Sequence, residues 1–301
     1  MATQVNNGAG FEYACASALL QQYRNNDRQL FIDQQTIPGF KLRRDRFDDV
    51  KPDSKEQMTK AAKAVAHHLT TSNESWGKGV FKKDVAYQMR VGDDARNMDV
   101  RDLVIYSDRG DQLGVSLKWN SSEIKSLRLG DNWFKQFHIQ DSGEWQAAIR
   151  EHHKQLGKYE YWRDAIAELG LDGVYGVYRN AVVAQIKRGE GKPFIDSLSQ
   201  FLFGKQNYLK VMAIAKGKEI SLAYYDSKNL PTQIHHIGPS SKGKHYFEII
   251  FDKGWQLLFR LHNKDSKIKP EAVGSGMSLT ITVTGWGEKS GQHCWRVADE
   301  Y

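Results

Sequence analysis

Cysteine is scarce in this chain. Cys15 and Cys294 are the only two among 301 residues and lie far apart, which excludes a disulfide framework and a cysteine-based zinc site. Long apolar runs are missing as well. None approaches the ~18 residues that a membrane-spanning helix needs, and the opening MATQVNNGAG has neither a basic nor an apolar leader segment. A cytoplasmic protein with no membrane partner is expected. No internal repeat or low-complexity tract occurs. Walker loop, dinucleotide-binding fingerprint and G-x-S-x-G elbow are all absent, so no nucleotide cofactor is expected. The pairs His67-His68 and His152-His153 fall on helical stretches with no third ligand within reach, and read as helix-face or surface histidines.

What is present is a soluble globular composition, 40% hydrophobic and 26% charged, with enough apolar residues for a large core. The net charge is +7, and it is unevenly spread. Between Lys187 and Lys244 stand ten Lys or Arg against four Asp or Glu, nearly the whole excess. Localised positive charge is the footprint of a polyanion partner.

Apolar periodicity places the elements. Phe11, Ala14, Cys15, Ala18 and Leu19 form one buried stripe of a helix over 8–24. Residues 31–50 read as irregular and charged. Ser54 and Gln57 make a capping box for a second helix, with Met58, Ala61, Ala62, Val65 and Leu69 facing inward. Val85, Tyr87, Met89 and Val91 alternate as a strand. Residues 121–142 are mixed. Glu144–Leu169 is helical with a break at Gly157, and Val174–Arg188 and Phe194–Leu202 are further helices. Tyr208–Ala215 with Glu219–Tyr225, and Tyr246–Phe251 with Trp255–Leu261, read as hairpins, and Leu279–Val283 as a last strand. The change of texture suggests one region over 1–205 and a strand-rich basic region over 206–301.

The stretch Asp99–Asn120, DVRDLVIYSDRGDQLGVSLKWN, reads as an antiparallel hairpin turning at Ser107–Asp111. With the turn centred on Arg109, opposed residues have numbers summing to 218, and Asp102 faces Ser116. Alternation then puts Asp102, Ser116 and Lys118 on one face and Leu103, Ile105, Val115 and Leu117 on the other, against the core. A carboxylate and a lysine converge where the strands open. Hydrolysis of a phosphodiester needs a cation to offset phosphoryl charge and activate water, and Mg²⁺ takes oxygen ligands, commonly one or two carboxylates. Asp102, Glu12 and Lys118 are of the required types. Glu12, in the first helix, is either a carboxylate favoured by the helix dipole or a further acid aimed at this site. Asp99 competes with Asp102, but its parity is wrong for facing Ser116.

These residues carry a resemblance. Arg101-Asp102 and Ser116-Leu117-Lys118 are similar to the two halves of the PD-(D/E)xK nuclease core. Gly10-Phe11-Glu12 resembles, one residue short, the N-terminal helix motif of that superfamily. The string Gly114–Asn120, followed by Lys125 and Arg128-Leu129, and Phe259–Asn263 with Ser266-Lys267, resembles type II restriction endonucleases, most nearly the HaeIII-type family, with motifs spanning residue 7 to about 270. The departures are Arg101 in the proline place, Trp119 after the lysine, and the neutral Ser116. The resemblance implies Mg²⁺-dependent cleavage of double-stranded DNA at a short palindrome, GGCC in the HaeIII group, cut to blunt ends. It implies Asp102 as principal metal ligand, Glu12 as the helix-borne carboxylate, Lys118 as the water-orienting residue and Ser116 as a supporting contact.

Base readout needs Arg, Lys, Asn or Gln in the major groove. Arg260, Asn263 and Lys267, near a strand end, are candidates, while Asn120, Lys125 and Arg128 suit phosphate contacts. A palindrome favours a symmetric homodimer, although a monomer can also act on one. The expected architecture is an α/β nuclease core, a mixed sheet flanked by helices, with a strand-rich basic C-terminal part. A structure-selective repair nuclease and a non-catalytic DNA-binding protein on the same scaffold are the alternatives, the latter because of Ser116.

Overall fold

A computed structural model describes the chain apart from residues 1–3, 72–81, 83, 93–98, 121–122, 129–132, 141–142, 205, 264–265, 269–276, 286–291 and 297–301. In chain order the elements are α1 (Gln4–Asn25), β1 (Gln29–Ile32), α2 (Ile37–Asp48), α3 (Pro52–Thr71), β2 (Ala86–Val91), β3 (Leu103–Tyr106), β4 (Gln112–Trp119) and β5 (Glu123–Arg128). Then follow α4 (Trp133–Gln136), α5 (Glu144–Leu156), α6 (Trp162–Gly189), α7 (Lys192–Phe203), β6 (Tyr208–Ile214) and β7 (Glu219–Tyr225). The last are β8 (Ile234–Pro239), β9 (Tyr246–Phe251), β10 (Gln256–Asn263), β11 (Met277–Gly285) and β12 (Gln292–Arg296).

The chain forms two compact units that interleave along the sequence: residues 1–122, 203–228 and 290–301 make the first, and 123–202 with 229–289 the second. The first holds a mixed sheet in the order β1-β2-β3-β4-β6-β7-β12. Its β1/β2 and β4/β6 pairs are parallel and the others antiparallel. The second holds an antiparallel sheet, β5-β11-β10-β9-β8, with α5 to α7 in the same unit. This is the expected mixed α/β sheet flanked by helices with an antiparallel strand-rich part towards the C-terminus. The division follows contacts and not the change of texture near 205: β6 and β7 join the first sheet.

One face of the mixed sheet makes the core of the first unit. Phe11, Ala14, Cys15 and Leu19 of α1, and Met58, Ala61, Ala62, Val65 and Leu69 of α3, pack on Leu103, Ile105, Val115, Leu117, Leu209 and Val211. Both predicted helical stripes are therefore buried as expected, since an apolar stripe at helical spacing has nowhere else to go. Phe11 meets Trp119 with ring centroids 5.1 Å apart, which ties α1 to the end of β4.

Several local readings change. Residues 31–50 are not irregular; they contain the end of β1 and all of α2. None of α2's residues is fully buried, so it has no inward stripe to announce it. It is held by Phe40 and Phe47, whose rings lie 5.1 and 5.4 Å from that of Tyr13 on α1. Val174–Arg188 is helical as read: α6 is two helices meeting at a kink, Gly170 (φ 71°, ψ 170°), and this stretch lies in the second. The mixed stretch 121–142 contains β5, and His235-His236 sit exposed on β8. His152 and His153 are on a helix face, but a buried one: His152 Nε2 lies 2.9 Å from Val174 O and His153 Nδ1 2.8 Å from the Tyr178 hydroxyl. Among the described residues no helix is long and apolar enough to cross a membrane.

Candidate active site

The central hairpin has the predicted register. Leu103 pairs with Val115, Val104 with Gly114, Ile105 with Leu113 and Tyr106 with Gln112. Asp102 stands just before this ladder and is only 8% exposed. Its Oδ2 accepts hydrogen bonds from the Ser116 hydroxyl at 3.2 Å and from Leu117 N–H at 2.6 Å. Its backbone N–H donates to Val115 O (2.8 Å), and its carbonyl accepts from Gly92 N–H (2.7 Å). The carboxylate is thus held from both chain directions. Lys118, two residues beyond Ser116 and half-buried, lies on the same face.

Glu12, on α1, is near enough to Asp102 and Lys118 to feel both charges. Burial and the Asp102 charge push its carboxyl from 4.5 up to about 7, although Arg43 and Lys118 pull the other way. Arg43 Nε donates to Glu12 Oε2. The guanidinium passes over Gly92, whose φ of +110° and missing side chain leave it room: a Cβ there would lie 3.1 Å from Arg43 Nη2. Arg43 belongs to α2, the helix that periodicity does not reveal.

Asp99, the competitor, is locked elsewhere. Arg101 donates to both its oxygens at 2.8 Å, and Arg90 binds Oδ2 as well. Burial alone would raise its carboxyl, but these bonds outweigh it and hold the group at about 2. Arg101 reaches it by lying across Gly114, where a Cβ would be 2.2 Å from Arg101 Cδ. The residue in the proline place is therefore a structural clamp.

Lys210 has no counterpart in the sequence reading. It sits on β6, in parallel register with Ser116, and is 1% exposed. Burial and the Lys118 charge draw its amine from 10.5 down to about 7, with Asp102 opposing. Nothing local marks it, because β6 joins β4 only after a crossover that includes α5, α6 and α7.

The candidate DNA contacts are distributed as follows. Asn120, at φ +50°, ends β4, and its side-chain oxygen accepts from Lys216 N–H at 2.7 Å. Lys125 and Arg128 are on β5, paired through the backbone with Ile281 and Ser278; their side chains lie outside the described residues. In the second unit, Arg260 is half-buried on β10, Asn263 accepts from the Tyr175 hydroxyl at 2.9 Å, and Lys267 pairs with Glu160 at 2.7 Å.

Among the described residues no three His, Cys, Asp or Glu side chains form a metal-binding group. Two carboxylates are nevertheless within reach of what Mg²⁺ ordinarily uses, the remaining positions going to water and phosphate oxygens. Glu12 is raised first by burial and then by the charge of Asp102, a repulsion that a divalent cation would relieve. Asp102 and Glu12 are of the donor type that such an ion takes.

The sign of the Glu12 shift gives a measurable consequence. A carboxyl at about 7 in the folded protein, against 4.5 unfolded, keeps a proton that the unfolded chain releases. Stability therefore falls as pH rises through that interval, and the loss is complete above it. Glu12→Gln has no such group. In EDTA it is expected to melt with the wild type near about pH 5 and above it near about pH 8, by on the order of 2–4 °C per kcal/mol regained. Parallel melting curves at both values would place Glu12 in the ordinary carboxylate range.

An acid, a supporting hydroxyl and two lysines share one face of a mixed sheet, the group types that phosphodiester hydrolysis uses. Residues 8–226 match the HaeIII restriction endonuclease family, and the chain belongs to it, which makes it a type II restriction endonuclease. It is 23% identical to the type II restriction enzyme HaeIII of Haemophilus aegyptius, over 94% of this chain and 98% of that enzyme. No solved structure matches.

Proposed function

We propose that this enzyme cleaves double-stranded DNA at a short palindrome, with GGCC as the first candidate, by Mg²⁺-dependent hydrolysis in a PD-(D/E)xK type of site. The observation that carries the proposal is the Asp102 carboxylate, buried and hydrogen-bonded from Ser116 and Leu117, on the same sheet face as Lys118 and with Glu12 of α1 near enough to feel its charge. Family membership supports the DNA substrate, and the name of the Haemophilus relative points to its own site as the one to test first.

Asp102 and Glu12 would hold the ion, which when bound supplies charge neutralisation at the scissile phosphate and lowers the pKa of water. Ser116 fixes the orientation of Asp102. Lys118 orients the attacking water and offsets charge developing on the phosphate. Arg43 keeps Glu12 in place. Arg260, Asn263 and Lys267 are proposed for base readout and Asn120, Lys125 and Arg128 for phosphate contacts. Of these, Asn120, Asn263 and Lys267 already have partners, which they exchange or share on binding. A symmetric homodimer matches the symmetry of a palindrome.

Digestion of a sequenced plasmid, with Mg²⁺ and with EDTA, tests the proposal. Discrete Mg²⁺-dependent fragments with ends mapping to one palindrome are expected. Uncut plasmid with salt-sensitive DNA binding retained would overturn it in favour of a binding protein, and cuts confined to branched DNA would favour a repair nuclease.

A further inference from the structure

We infer that Lys210 is a positioning residue of the active site, acting through Asp102: buried beside Ser116, its ammonium shares the Asp102 carboxylate with the bound cation and sets how tightly that cation is held. The inference rests on the cation-dependent reading above and deepens it.

The placement comes from the sheet. In the parallel pair of β4 and β6, Ser116 is in register with Lys210, and Val115 and Leu117 with Leu209 and Val211. Adjacent strands are about 4.8 Å apart, and residues in register point to the same face. Leu209 and Val211 are in the core with Val115 and Leu117, so Lys210 rises on the opposite face, beside Ser116. Tyr208, two residues earlier on β6, is buried on that face, feels the Asp102 charge, and has its ring 4.9 Å from that of Tyr225. Tyr208 and Lys210 thus share the face of Ser116, within reach of the Asp102 charge.

A lysine that is 1% exposed cannot reach a DNA phosphate itself. A fully buried lysine is rare unless a charge answers it. Lys118 repels it and Asp102 attracts it. Ser116 then has an explanation. A carboxylate at that position would stand next to Lys210 in the sheet and take its ammonium. A neutral serine leaves the ammonium to Asp102, and spends its own hydroxyl on Asp102 as well. The carboxylate that the PD-(D/E)xK pattern leads one to expect is absent where a buried cation is its neighbour.

Calorimetric titration with Mg²⁺ alone at about pH 6, where Lys210 carries its proton, on the full-length wild type, Lys210→Met, Lys210→Arg and Asp102→Asn, tests this. Methionine matches the lysine stem without its charge, so Lys210→Met is expected to bind Mg²⁺ about tenfold tighter than the wild type. Lys210→Arg is expected to stay within about threefold of it. A Lys210→Met protein with unchanged or weaker affinity overturns the inference. Should that variant fail to fold, Ser116→Asp decides. A change within about threefold supports neutralisation of the new carboxylate by Lys210, and a gain of tenfold or more overturns it. A wild type that binds no Mg²⁺ overturns instead the cation-dependent reading itself, and Asp102→Asn distinguishes binding at this site from binding elsewhere.

Discussion

An Asp102→Asn protein is expected to fold, to bind DNA and to leave it uncut, with cleavage down by on the order of 10³-fold or more. Asparagine keeps the shape and a carbonyl oxygen that can accept from Leu117 N–H, the shorter of the two bonds to this side chain. What it loses is the charge that the proposed mechanism gives to the cation. Asp102→Ala separates the two contributions. It leaves the buried Leu117 N–H without this acceptor, at a cost of about 1–3 kcal/mol. It should therefore be both inactive and less stable in urea. An asparagine variant retaining more than a tenth of wild-type cleavage would remove Asp102 from the metal site.

Lys118→Ala is expected to lower cleavage by about 10²–10³-fold while leaving specific DNA binding within a few-fold, as measured by single-turnover cutting beside a Ca²⁺-supported binding assay. The group acts on charge that develops during reaction, so its removal should appear in the rate and not in the affinity. Lys118→Arg should not rescue. A guanidinium is planar, delocalised and broader than an ammonium, and it cannot occupy the same point beside Asp102. If Lys118→Ala weakened binding as much as cleavage, the residue would be a phosphate contact and not part of the hydrolytic step.

Much of the geometry of this site was legible because it is local. The hairpin register follows from period-two alternation and a turn cluster at Ser107–Asp111; both strands could bury Leu103, Ile105, Val115 and Leu117 in only one registration. That registration put Asp102 and not Asp99 beside Ser116, and the hydrogen bond between them follows. The stripes of α1 and α3 were readable for the same reason, and with α1 came Glu12. α2 was not readable, because a helix that fully buries no residue shows no stripe, and Arg43 was hidden with it.

By itself the sequence determined the local periods: which face of each helix and strand is apolar, where the turns fall, and hence which of two nearby aspartates meets Ser116. Tertiary structure decided everything that depends on distant partners. It placed β6 parallel to β4, so that Lys210 lies beside a serine 94 positions earlier in the chain (210 minus 116). It interleaved the two units, where a change of composition suggested a seam near residue 205. The physical reason is the same in each case. Alternation and helical spacing record how a segment meets a core, but nothing in a segment records which other segment it meets across a long crossover. A lysine buried beside a serine of another strand looks, in its own strand, like any solvated lysine.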